Sequence, residues 1–478
     1  MIEEKKHEHN FLFCEENDYK LYQGKMQDVL DTFQEESVDC IITDPPYELN
    51  FMSWDNSGVA FDKETWKHCF RVLKEGGYLL AFGGSRTFHR IACAIEDAGF
   101  EIRDCIMWIY GSGMPKSMNL GLKMDKKQGC PDRGHRIAVA NRHHPNGTYE
   151  PNGENLPPYE AKTELGKKWQ GWGTCLKPAY EPIIVARKPF KGSLVDNVIK
   201  NGVGGLNIDE CRVENTNADT YDLEKRQISK ATGSDNDGHF LDQLHNKDLK
   251  HGVAEQGRFP ANVILTYDET DFEEVCGGFP DTKSGSKLIT NKEVNRKSLT
   301  SKNPIFNFKT NIKNDGISNY GDKGSASRYF YCAKAATKDR DEGLDLVGFE
   351  KVQITDGSVR ANPETGRAFS ANPTPRRNIH PTVKPTEIME YLIKLVAPKG
   401  SVILDPFMGS GSTGKAVMFQ NRERNANYKF IGIEMTPEYL PICQARIDFA
   451  KNKYEYETKK ELEEQRKTNG QQNIFDFL

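Results

Sequence analysis

No apolar run in this 478-residue chain approaches the roughly 18 residues that a membrane-spanning helix needs, so no membrane partner is expected. The eleven cysteines include no C-x-x-C pair. That argues against a disulfide framework and against an ordinary zinc site, and it fits a reducing cytoplasm. Cys130, His135, His143 and His144 lie close in sequence and read as unligated loop residues, so no metal is expected. Positive charge is not in excess either: the formal net charge is −4, and the whole chain is no polycation. The opening Glu3-Glu4-Lys5-Lys6 does not read as a secretory leader, and the expected location is the cytoplasm. The irregular stretch from Pro189 to about Pro375 contains no internal repeat. What remains is ordinary globular material, 37% hydrophobic, long enough for two or three domains.

Against that background one short stretch stands out, Asp44-Pro45-Pro46-Tyr47. It ends an apolar strand candidate, residues 38–43, at the carboxyl end, where an open α/β sheet places its ligands. Two consecutive prolines stop the ladder and stiffen the turn. A carboxylate, the Pro45 carbonyl and an aromatic ring then face one crevice. The set suits an amine on a flat ring, with two acceptors for its two N–H bonds and a face for stacking. The bland reading is a surface turn.

A second constellation comes late. A strand at 402–404 runs into Asp405-Pro406-Phe407-Met408-Gly409-Ser410-Gly411, a helix follows, and a strand at 428–433 closes on Glu434. Strand, glycine loop, helix, strand and acidic residue form the nucleotide-binding half of a doubly wound sheet, with Glu434 placed to bind two ribose hydroxyls. Residues 409–415 also spell G-x-x-x-x-G-K, from Gly409 to Lys415, the phosphate loop of NTPases. Ala416 follows where that loop needs Ser or Thr for Mg²⁺. Charge is locally uneven too. Residues 281–340 hold 13 Lys+Arg against 5 Asp+Glu, a balance of +8, interleaved with Phe306, Phe308, Tyr320, Tyr329, Phe330 and Tyr331. That is the electrostatic footprint of nucleic-acid binding, with a solvated basic loop as the alternative.

Between these landmarks the periodicity predicts strands at 19–24, 78–82, 101–110 and 182–186, and helices at 26–33, 63–73, 86–98, 386–396 and 437–451, with another starting at 415–420. Gly76-Gly77 is expected to break the 63–73 helix, and 48–58 to form a mobile loop over the site. Strands alternating with helices imply βαβ units and a parallel sheet. The expected division is 1–110 as the first part of a catalytic domain, 111–173 as a loop-rich insertion and 174–189 as a strand of the catalytic sheet. Residues 190–377 form an irregular inserted domain, 378–452 the cofactor-binding part, and 453–478 a charged helix and tail.

Asp44-Pro45-Pro46-Tyr47 with 405–411 (DPFMGSG) resembles the S-adenosylmethionine-dependent DNA amino-methyltransferases. The catalytic motif precedes the cofactor motif, so the order resembles the circularly permuted β class. Residues 37–47 (SVDCIITDPPY), 380–385 (HPTVKP) and 430–434 (FIGIE) carry the resemblance, and 79–90 more loosely. It covers 19–110, 174–188 and 378–450. Lys25 departs from it, since relatives often carry an acidic residue after the glycine.

The resemblance implies a Rossmann-like methyltransferase α/β sheet with 190–377 holding the target recognition domain. It implies S-adenosylmethionine as cofactor, double-stranded DNA as partner, a flipped base, and methylation of adenine N6 more than cytosine N4. The enzyme would be cytoplasmic and nucleoid-associated, of the kind found in restriction-modification. Asp44, Pro45, Pro46 and Tyr47 are then catalytic. Asp405 would lie near the cofactor ammonium, Phe407 beside the cofactor, Gly409 and Gly411 would leave it room, and Glu434 would take the ribose. His380, Thr382 and Lys384 would open a helix near its carboxylate. Lys287, Lys292, Arg296 and Lys297 would contact DNA. Methyltransferases acting on RNA or a protein amide share the (D/N)PP(Y/F) motif, but the permuted order and basic insert argue against them. Finally, Gln471-Gln472-Asn473-Ile474-Phe475-Asp476-Phe477-Leu478 either docks on this protein's own core or resembles the short tails that hook onto the replication sliding clamp.

Overall fold

The computed structural model describes residues 11–49, 54–110, 117–130, 159–213, 257–267, 281–283, 323–325, 330–334, 337–345, 348–349, 352–353, 375–456 and 458. Lys287, Lys292, Arg296, Lys297, His135, His143, His144 and the tail from Gln471 to Leu478 lie outside them.

In chain order the elements are β1 (Leu12–Glu15), β2 (Tyr19–Gln23), α1 (Met26–Leu30), β3 (Val38–Thr43), α2 (Lys63–Val72), β4 (Leu73–Phe82), α3 (Phe88–Asp97) and β5 (Glu101–Tyr110). Then come α4 (Leu120–Lys127), α5 (Glu164–Lys168), β6 (Tyr180–Arg187), α6 (Leu194–Asn201), β7 (Val263–Tyr267), β8 (Asp281–Lys283), β9 (Lys323–Ser325), β10 (Tyr331–Lys334), β11 (Val352–Gln353) and β12 (Pro375–Arg376). The last are α7 (Thr386–Val396), β13 (Val402–Asp405), α8 (Ser412–Arg424), β14 (Lys429–Glu434) and α9 (Leu440–Lys451).

Ten strands form one sheet in the order β1-β2-β14-β13-β3-β4-β6-β5-β7-β10. Strand β3 sits at its centre because all six of its residues can be covered on both faces, and all six are buried. The buried Asp39 in this run is compensated: its carboxylate takes Lys74 Nζ at 2.6 Å and the Val402 N–H at 2.6 Å. The five strands β2, β14, β13, β3 and β4 run parallel. The expectation of a parallel sheet fails beyond them, since β6 lies antiparallel to both β4 and β5. Its Ile183–Ala186 core is buried on both faces, so it reads like a parallel strand; an apolar run carries no direction.

Gly76 and Gly77 do not separate helix from strand. They lie inside β4, which starts at Leu73, immediately after α2. Register slips there, Val38 facing Leu73 but Cys40 facing Tyr78, so the extra residues form a bulge. Gly76 has φ +80°, and a Cβ on it would fall 2.0 Å from Asn197 Nδ2.

Two compact units emerge. One comprises Met1–Asn207, Asn262–Asp271 and Cys332–Leu478; the other comprises Ile208–Ala261 and Phe272–Tyr331. The second unit is narrower than the expected 190–377 insert, because α6 and β7 pack with the sheet. Within the second unit the described residues show a Val213 to Arg258 bridge and the antiparallel pair β8 and β9.

Candidate functional site

Two aspartates end two neighbouring parallel strands. Ile403 pairs with Cys40 and Leu404 with Ile41, so β13 and β3 deliver Asp405 and Asp44 to the same end of the sheet. Asp405 is buried, and three donors hold it: Thr43 Oγ1 at 2.7 Å, Thr413 Oγ1 at 2.6 Å and the Phe407 N–H at 3.2 Å. Burial outweighs them and pushes its carboxyl up to about 7, with the Asp44 charge adding to the rise.

Asp44 has an unequal pair of oxygens. Oδ2 accepts from Lys384 Nζ at 2.5 Å, while Oδ1 is buried and accepts no hydrogen bond among the described residues. Lys384 also lies 3.7 Å from Glu181, and its ammonium stands 5.2 Å from the Tyr47 ring centre and 5.3 Å from that of Phe82. Burial alone would lower the Lys384 ammonium, but Asp44 and Glu181 hold it above the ordinary lysine value. The Tyr47 hydroxyl donates to Glu181 Oε2 at 2.7 Å and the Tyr110 hydroxyl to Oε1 at 3.3 Å. Tyr47 lies near Asp44 as well, but its one proton goes to Glu181. Burial, then the Asp44 and Glu181 charges, pushes the Tyr47 phenol well above its usual value.

The glycine loop turns beside this pair. Gly409 and Gly411 have φ +56° and +75°, and a Cβ on Gly409 would come within 2.8 Å of His380 Nε2. Glu434 accepts the Gly409 N–H at 2.9 Å and the Thr436 N–H at 2.7 Å, one on each oxygen. Burial lowers His380 to about 3, helped by the Lys384, Arg340 and Arg446 cations, so its ring is neutral at pH 7. Phe407 is half-buried 6.3 Å from the Trp66 ring. Thr382 is exposed.

Thus Asp44, Pro45, Tyr47, Asp405, Gly409, Gly411, Glu434 and His380 gather at the carboxyl ends of β3, β13 and β14. Lys384, expected at the cofactor carboxylate, points instead at Asp44. The phosphate-loop reading of 409–415 fails on Lys415. Its ammonium is fully buried against Asp339 at 2.5 Å and Glu342 at 2.9 Å, where no loop-bound phosphate can meet it.

Sequence reasoning missed the supports. Arg446, wholly buried on α9, donates to the Ser410 carbonyl at 2.6 Å and to the Ser410 and Ser412 hydroxyls at 3.1 and 3.2 Å, so one guanidinium shapes the loop. Asp339 takes Thr386 N and Oγ1 at 2.7 and 2.6 Å, tying the start of α7 to Lys415. Glu181 was also missed. Its signal was there, a carboxylate in a strand that otherwise buries apolar side chains.

The profile of a family described as DNA methylase, covering the N6 and N4 enzymes, matches residues 38–445. The type II methyltransferase M.HindIII of Haemophilus influenzae is 29% identical over 257 residues, 52% of this chain and 67% of that protein. The DNA adenine methyltransferase YhdJ of Escherichia coli is 38% identical over 71 residues, 15% of this chain and 22% of that one. A solved DNA modification methylase of Thermus thermophilus, TTHA0409 with S-adenosyl-L-methionine, aligns over 90% of this chain and 93% of its own at 14% identity, with a TM-score of 0.35.

Proposed function

The chain belongs to the N6/N4 DNA methylase family, and from that premise we propose that it moves the methyl group of S-adenosylmethionine onto an exocyclic amino nitrogen of a DNA base, adenine N6 in preference to cytosine N4. The observation that carries the reading is Asp44 Oδ1, buried and without a hydrogen-bond partner among the described residues, beside Tyr47 at the carboxyl end of β3. The short, more identical stretch shared with an adenine methyltransferase supports adenine.

The residues present fit the cofactor. The loop at Gly409 and Gly411 has no room for side chains, Glu434 is a carboxylate at the end of β14 beside that loop, and Asp405 is a buried carboxyl whose ionisation a neighbouring cation would favour. Bound there, S-adenosylmethionine supplies a methyl on a cationic sulfur that leaves as a neutral thioether when the base nitrogen takes the methyl. The chain's residues prepare that nitrogen. Asp44 Oδ1 and the Pro45 carbonyl accept its two N–H bonds and draw it towards sp³, freeing a lone pair otherwise spread into the ring. Asp44 then offsets the positive charge that appears on nitrogen, and one proton leaves along that hydrogen bond to water. Such a nitrogen cannot be reached inside a duplex, so the base is flipped out at a cost of a few kcal/mol, and stacking on Tyr47 returns about 1–3 kcal/mol. The basic stretch with Lys287, Lys292, Arg296 and Lys297 holds the DNA backbone, a role its +8 balance supports.

Expression in a host without DNA methylation, followed by long-read sequencing and nucleoside mass analysis, tests all of this at once. N6-methyladenine at one recurring sequence is the expected result. N4-methylcytosine would correct the base, and unmodified DNA would overturn the function.

A further inference from the structure

Resting on that methyl-transfer reading, we propose that Lys384 is a positioning residue of the reaction: it pins Asp44 by Oδ2 so that Oδ1 is the acceptor offered to the base amine, and Glu181 braces Lys384 and Tyr47 in that arrangement.

Three distant pieces of chain meet here: the turn after β3, the start of β6, and the segment before α7. Lys384 is 7% exposed, and a buried ammonium is retained only where its charge is matched. It is matched twice, by Asp44 at 2.5 Å and by Glu181 at 3.7 Å. An aspartate held by nothing turns easily about its last torsion and exchanges its two oxygens. Held by one oxygen, it presents the other in a fixed direction. That other oxygen is the buried one that no donor among the described residues satisfies.

Glu181 is the poorer acceptor for the base. Both its oxygens are engaged, by Tyr47 at 2.7 Å and Tyr110 at 3.3 Å. Its charge still matters. Asp44 with Lys384 alone would sum to zero, and Glu181 leaves one net negative charge where the nitrogen turns positive, which favours the transition state over the ground state. The competing reading is a structural clamp, with Lys384 merely fastening 380–385 to the sheet.

The test uses the full chain, S-adenosylmethionine with a labelled methyl, and unmethylated genomic DNA. Lys384→Met keeps the apolar stem and removes the ammonium. Its kcat should fall on the order of 10²-fold, while cofactor affinity by calorimetry and KM for DNA stay within about threefold. Glu181→Gln, which keeps shape and loses charge, should lose about tenfold in kcat. A double-mutant cycle separates positioning from fastening. Asp44→Asn combined with Lys384→Met should be no slower than Asp44→Asn alone, within about threefold, because no carboxylate remains to be turned. Should Lys384→Met not fold, this neutral pair carries the comparison by itself.

Lys384→Met at wild-type kcat, or faster, would overturn the proposal, the second outcome marking an ammonium that blocks the site. Losses that multiply in the double variant would overturn it as well. So would a defect residing wholly in cofactor affinity, which would return Lys384 to the cofactor. If the wild type methylates no DNA, the methyl-transfer reading falls and this inference with it; an active wild type beside an unaffected Lys384→Met fails the inference alone.

Discussion

At the scale of single residues, Asp405 turns burial into a pH dependence. Its carboxyl sits near 7 against an ordinary 3.8, so between those values the folded chain binds more protons there than the unfolded chain. Stability from this group is therefore complete below about pH 4 and is lost as pH rises through about 7. Urea midpoints of the ligand-free protein should decline between pH 5 and about 7.5, and Asp405→Asn should flatten that decline. A cofactor ammonium near Asp405 reverses the preference. Binding should release a proton at pH 6 and tighten towards pH 7, which calorimetry in two buffers of different ionisation heat would show. The neighbouring Asp44 plays a different part. Asp44→Ala should cost on the order of 10²–10³ in kcat or more with cofactor affinity nearly unchanged, as single-turnover rates would reveal.

At the scale of elements, the loop between β13 and α8 keeps its form through α9. Arg446 reaches from that helix to the Ser410 carbonyl and both serine hydroxyls, and toward Asp339 at 3.6 Å. Arg446→Met should destabilise the chain by about 1–3 kcal/mol, because the Ser410 carbonyl and the two serine hydroxyls lose their buried donor while Asp339 keeps Lys415. Cofactor binding should weaken although Arg446 is not expected to touch the cofactor; urea unfolding and calorimetry check the two effects separately.

Elements were the legible part of this molecule. β3, α7 and α9 emerge from apolar runs and helical spacing because each buries a continuous face. The direction of β6 was not legible, since hydrophobicity says a strand is covered and not which way it runs. The bulge at Gly76 was read as a stop because glycine marks both. That Asp44, Asp405 and Glu434 lie at one end of the sheet was legible, for strand ends are local events. Arg446 was not singled out, and Lys384 was placed at the cofactor carboxylate rather than at Asp44. A lysine or arginine reads as solvated, and only partners 340 and 36 residues away show otherwise.

At the scale of the whole molecule, charge is segregated: a chain of net −4 carries its +8 stretch between 281 and 340. Neutralising Lys287, Lys292, Arg296 and Lys297 together should weaken DNA binding and flatten its dependence on log salt by about 0.9 for each phosphate that no longer meets a cation. An unchanged slope in a salt titration would assign the stretch to solvation. The centre of the sheet also sets a timetable for the newborn chain. β3 needs β13 beside it, and Thr43 waits for Asp405, 362 residues later. At a synthesis rate of about 5–20 residues per second, that wait is roughly 20–70 s. Throughout it, a strand buried at all six residues in the finished fold has left the ribosome without one of its two neighbours. Closing so long a loop also makes late, slow assembly the expected route. Nascent chains stalled before residue 400 should stay protease-sensitive at β3 and recruit chaperones, and chains released after residue 451 should not. The centre of the sheet is complete only once both of its distant pieces have been made.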